Sequence, residues 1–174
     1  WPTDAFLFDK RSFFFNGEAI DIMHQPSGDS DGDSIVHFRG SDVLVAGSLL
    51  STTHYPRFNP AQGGSLKGLI DSMNAMLDIT VPKVMQEGGT YVIPGEGRIC
   101  DEADLAELRD QSQMIWDRFV NLAVTSKLGL AEAMAKNPLV DFDGYYNRPD
   151  WTTAQFAQAV YAEVAAKGGA ARAE

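Results

Sequence analysis

The chain has 174 residues and a formal net charge of −10, from 24 acidic and 14 basic side chains. That length suffices for one domain with a real core. The acidic excess argues against nucleic acid, whose phosphates need clustered Lys and Arg, and against docking on anionic lipid.

The sequence opens on Trp1 rather than Met, so it reads as a processed product, a fragment or a chain without its natural start. Removal of a signal peptide would mean export, and an exported or periplasmic location is expected over a cytoplasmic one. No run of about 18 apolar residues exists to span a membrane, so a soluble protein is expected. Phe6-Leu7-Phe8 and Phe13-Phe14-Phe15 flank a polar stretch, and Asn16-Gly17 is a hairpin turn signal. Glu18 to His24 then reads as the returning strand. His24 reads as a hydrogen-bonded strand-end histidine, because it has no partner at ligand spacing.

Pro26 to Ser34 is an acidic loop with Asp29, Asp31 and Asp33 at alternate positions. Such spacing can wrap a hard cation such as calcium. The loop fails as an EF-hand: its glycine is fourth rather than sixth, and Gly40 stands twelfth, where a bidentate Glu belongs. The other reading is a turn whose Asp and Ser side chains cap backbone amides. Ile35 to Arg39 and Asp42 to Ser48 read as antiparallel strands joined at Gly40-Ser41, so the loops outside them share one end of the hairpin. Ser48 lacks the Gly-x-Ser-x-Gly surroundings of a nucleophile and reads as a loop serine.

Residues 65 to 79 carry Leu66, Leu69, Ile70, Met73, Met76 and Leu77 on one face at helical spacing. Thr90 to Ile93 is a short buried strand, followed by the glycine-flanked loop Ile93-Pro94-Gly95-Glu96-Gly97-Arg98. The single cysteine, Cys100, excludes an internal disulfide and reads as a small core residue. Asp101, with Asp104 three residues on, caps a long helix whose buried face is Leu105, Leu108, Ile115, Phe119 and Leu122. A short helix spans Leu130 to Lys136, and residues 137 to 151 read as a linker. Thr152 and Gln155 form a capping box for a last helix bearing Phe156, Val160 and Val164, with a tail expected to fray from Lys167.

Three stretches, Gly28-Asp29-Ser30-Asp31-Gly32-Asp33-Ser34, Val45-Ala46-Gly47-Ser48 and Ile93-Pro94-Gly95-Glu96-Gly97, resemble the second half of a metallo-β-lactamase-fold hydrolase. In that family the loops read His-Thr-Asp-Gly-Asp-Ser, Ala-Gly-Asp and Pro-Gly-His-Gly. The resemblance covers residues 1 to 150 and implies an α/β (α+β) fold. That fold is half of an αββα sandwich, with one mixed, mainly antiparallel sheet covered by helices; residues 151 to 174 add a last helix and tail. The resemblance places Asp29 and Glu96 where histidine ligands are expected and Ser48 where a bridging aspartate is expected. The first-half motif His-x-His-x-Asp-His is absent. Glu96 is expected either to keep a weakened site or to form a salt bridge with Arg98 or Arg57.

The resulting expectation is a pseudoenzyme: a metallo-β-lactamase-like structural or interaction subunit with no cofactor. The alternatives are a zinc hydrolase completed by a missing half or a partner chain, and a calcium-stabilised binding module using Asp29, Asp31 and Asp33. Val36, Phe38, Val43, Val45 and the N-terminal aromatics imply more apolar surface than one helical layer hides. A protein partner is expected to cover the exposed sheet face, in a hetero-complex.

Overall fold

The computed structural model describes residues 8–170. Phe6 and Leu7 of the first aromatic run, and the tail beyond residue 170, lie outside them. Among the described residues five strands form one mixed sheet in the order β1-β2-β3-β4-β5. β1 (Lys10–Phe15) turns through Asn16 and Gly17, both at positive φ, into β2 (Glu18–Gln25). Phe15 pairs with Glu18, so the turn has the two residues that the Asn-Gly signal implies.

β3 (Asp33–Phe38) and β4 (Val43–Ser51) form the second hairpin, but Phe38 pairs with Val43, so Arg39–Asp42 make a four-residue turn in place of the expected Gly40-Ser41 turn. The cause is Glu18: its carboxylate accepts from the Gly40 and Ser41 amides, both at 3.0 Å, which holds the longer turn against β2. Those amides hold the Glu18 carboxyl below its usual range.

The chain then crosses through α1 (Leu66–Leu77) to β5 (Tyr91–Glu96), which pairs with β4 in parallel. Parallel neighbours require such a crossover. β5 runs through Pro94-Gly95-Glu96, so part of the expected glycine loop is strand, and Pro94 is tolerated because β5 ends the sheet order. The ladder is interrupted between Val45 and Gly47 and again before Ser51, where a bulge bends β4.

α2 (Glu102–Val120) begins at the expected capping box: Asp101 accepts from the Asp104 amide at 2.9 Å, and Asp104 accepts from the Asp101 amide at 3.2 Å. A wider turn over Asn121–Thr125 ends α2 and leads to the short α3 (Leu130–Met134). Residues 137–151 are more than a linker. Leu139 and Phe142 enter the core there, and a four-residue helix α4 (Asp143–Tyr146) lies among them. α5 (Thr153–Ala170) continues past the point where fraying was expected. Lys167 is held by Glu163 at 2.8 Å and lies over the Trp116 ring. Glu163 also accepts from the Leu66 amide at 2.8 Å, so α5 caps α1 with a carboxylate at its positive end.

Ile35, Leu44, Ala46 and Val92 from the sheet share one core with α1, α2 and α5. Tyr55 stacks on Phe156 at 4.6 Å between ring centroids. Cys100 is in this core as expected, and burial pushes its thiol pKa up. No described helix is long and apolar enough to cross a membrane.

The register puts the residues alternating with this core set on the other face. Ile22, Val36, Val45 and Ile93 stand in one cross-strand row there. Phe13, Phe15, Phe38 and Tyr91 surround them, with Phe13, Phe15 and Tyr91 exposed. None of these residues belongs to the core or packs against it, so the apolar face foreseen from Val36, Phe38, Val43 and Val45 exists.

The cap of α2 is testable. The Lys83 hydrogen bond holds the Asp101 carboxyl below its usual range, and Arg98 does the same for Asp104. A depressed carboxylate pKa stabilises above the unfolded value and loses that contribution as pH falls through the folded one. Asp101→Ala should therefore lower the unfolding free energy by about 1 kcal/mol at pH 7. In urea titrations followed by circular dichroism, that difference should shrink once the pH drops below the ordinary carboxylate range.

Candidate functional site at the strand ends

Because β4 and β5 run parallel and β3 antiparallel, the loop before β3 and the ends of β4 and β5 gather at one end of the sheet. A polar pocket of about 230 Å³ opens there, lined by Asp29, Ser48, Ser51, His54, Arg57 and Glu96, with Leu50 and Gly95. The three positions singled out in the sequence, Asp29, Ser48 and Glu96, thus converge on one cavity.

Backbone contacts hold the three loops. The Asp29 carbonyl accepts from the Asn59 amide at 2.7 Å, and the Asp31 amide donates to Gln62 O at 2.8 Å. The Ser65 amide donates to the carbonyls of Ser27 and Gly28, both at 3.0 Å. Gly68 of α1 lies so close to Ser27 that a Cβ would overlap the Ser27 carbonyl oxygen. At the other wall Gly95 backs onto the Gly47 carbonyl, where a Cβ would sit 2.6 Å from the oxygen. The Thr52 amide donates to Glu96 O at 3.1 Å, and the Arg98 amide to the Thr52 hydroxyl at 3.2 Å.

Asp33 is spent on its own loop. It accepts from the Ser30 amide at 2.6 Å and from the Ser48 hydroxyl at 3.1 Å. Burial and the neighbouring Asp33 charge push the Asp29 carboxyl above its usual range, against the Ser48 hydroxyl and the Arg57 charge, which pull it down. Ser48 therefore sits between two carboxylates. Asp31 offers its carbonyl to His24 Nε2 at 2.6 Å, which fits the strand-end reading of His24.

Neither arginine takes Glu96. Arg98 makes a two-pronged contact with Asp104 at 2.5 and 2.6 Å, and Arg57 binds Asp150 at 2.5 Å. Glu96 is 62 % exposed, which removes the burial cost that called for an arginine, and its carboxylate lies 3.4 Å from His54 Nε2. His54 is buried, and its Nδ1 lies 2.7 Å from the Tyr55 carbonyl, which can only accept. The Nδ1–H therefore donates to Tyr55, and Nε2 faces the pocket. Sequence spacing gave His54 no role, because its partner comes from another strand.

Zinc is the metal that the resemblance implies, and the donor set does not fit it. Zinc sites rest on imidazole and thiolate, or on three firm ligands with one open position. Here one imidazole faces the pocket, Ser48 brings a neutral hydroxyl already engaged by Asp33, and Glu96 is solvent-exposed. Among the described residues no three His, Cys, Asp or Glu side chains are grouped to hold a metal ion.

No family model and no curated protein sequence matches this chain. Solved structures match it in shape. The sec-alkylsulfatase Pisa1 from Pseudomonas sp. aligns with 94 % of this chain and 26 % of its own, at TM-score 0.65 and 14 % identity. A metallo-β-lactamase from Pontibacter korlensis aligns with 64 % of this chain and 49 % of its own, at TM-score 0.48 and 18 % identity. TMB-1 covers 64 % of this chain and 47 % of its own, at TM-score 0.48 and 15 % identity. The chain thus spans about half the length of the Pontibacter korlensis protein and of TMB-1, and about a quarter of the sulfatase. The fold is mixed α/β with a five-stranded mixed sheet, consistent with half of a metallo-β-lactamase-like fold.

The charge balance in the pocket gives a second prediction. A carboxyl whose folded pKa is raised stabilises the fold only while protonated, so its ionised form at neutral pH opposes folding. Asp29→Asn should raise the melting temperature by about 1–2 °C at pH 7. The gain should vanish below the ordinary carboxylate range, where Asp29 is protonated in both states. Thermal scans at pH 2.5 and pH 7 would check it.

Proposed function

We propose that this chain is a metallo-β-lactamase-like unit without hydrolytic chemistry of its own, acting as a structural and interaction subunit of a larger protein complex. One observation carries the reading. The three loops converge as a metal centre would require, but the groups they bring are two carboxylates and a hydroxyl. A neutral hydroxyl offers no charge to offset the desolvation of a cation. The pocket's shape is kept by backbone contacts that do not depend on the donors. The apolar sheet face is the matching feature on the interaction side, since patches of that kind mark binding surfaces.

A second reading is a zinc hydrolase of the same superfamily, completed by histidines from a further half or a partner chain. His54 favours it, because its Nε2 faces the same pocket as Asp29 and Glu96. The solved relatives are named for β-lactams and secondary alkyl sulfates, so those are its substrates to try. A calcium-stabilised module built on Asp29, Asp31 and Asp33 has less support: Asp33 is engaged by Ser30 and Ser48, and the loop is already clamped to the start of α1 without a cation.

Elemental analysis of purified protein, with assays on β-lactam, ester and secondary alkyl sulfate substrates, separates the first two. Substoichiometric zinc and no turnover are expected; stoichiometric zinc with turnover would reject the proposal. The triple variant Asp29→His, Ser48→Asp, Glu96→His should also give no turnover alone, because the first-half ligand cluster is still missing. Calcium should leave the melting temperature unchanged.

A further inference from the structure

We draw no further inference here: the strongest candidate, the apolar sheet face on which Ile22, Val36, Val45 and Ile93 share one cross-strand row with Arg11, is an unpartnered surface, and nothing in the structure shows what covers it.

Discussion

The parallel ladder between β4 and β5 is the constraint from which the rest follows. Two parallel strands end together, and β3, antiparallel to β4, begins where they end. Loops distant in sequence are thereby forced to one rim of the sheet. Glycines at the contact points let backbone touch backbone: Gly95 on Gly47, and Gly68 on the Ser27 carbonyl. The amide contacts of Asn59, Gln62 and Ser65 then fix the acidic loop to the start of α1. None of these contacts uses the side chain of Asp29, Ser48 or Glu96. Fold and site chemistry are therefore separable, and the rim can keep its shape while its donors change.

The pocket's electrostatics follow from which charges share the rim. Asp29 and Asp33 repel each other, and burial adds to the penalty on Asp29. The Ser48 hydroxyl donates to Asp33, and the Arg57 charge offsets Asp29 while its guanidinium is fixed by Asp150. An aspartate in place of Ser48 would put a third carboxylate here, tolerable only beside a cation of comparable charge. On the far wall, His54 beside an exposed Glu96 leaves the one imidazole facing a carboxylate.

Much of this was legible locally. Asn16-Gly17 specifies its own hairpin, and the Asp101–Asp104 and Thr152–Gln155 boxes specify helix starts within four residues. The apolar stripe of α1 is equally self-contained. What sequence reading misplaced depends on contacts between distant segments. The β3–β4 turn lengthens because Glu18, some twenty residues earlier, captures Gly40 and Ser41. The stretch 137–151 looks like a linker by its Asp, Pro and Gly content. Its buried members, Leu139 and Phe142, stand three apart as on a helix, but two residues are too few for a periodicity to show. A salt bridge from Glu96 to Arg98 or Arg57 was expected, whereas Arg98 turns to the α2 cap and Arg57 reaches residue 150. His54 is the clearest omission: its role comes from a strand forty residues on.

The two sheet faces explain why an apolar surface was easier to foresee than chemistry. A strand solvated on one side alternates apolar and polar residues, whereas Val43-Leu44-Val45-Ala46 is apolar throughout. Such a run demands cover on both sides. The helices supply it for Leu44 and Ala46, which are nearly inaccessible, while Val43 and Val45, on the other face, are half-buried. That demand is written in strand composition and survives any detail of topology. The reactivity of the rim depends on which side chains meet across three loops, and composition is silent on that. A sheet apolar on both faces, with helices on one, leaves an apolar surface on the other, and the polar rim sits beside that surface rather than in place of it.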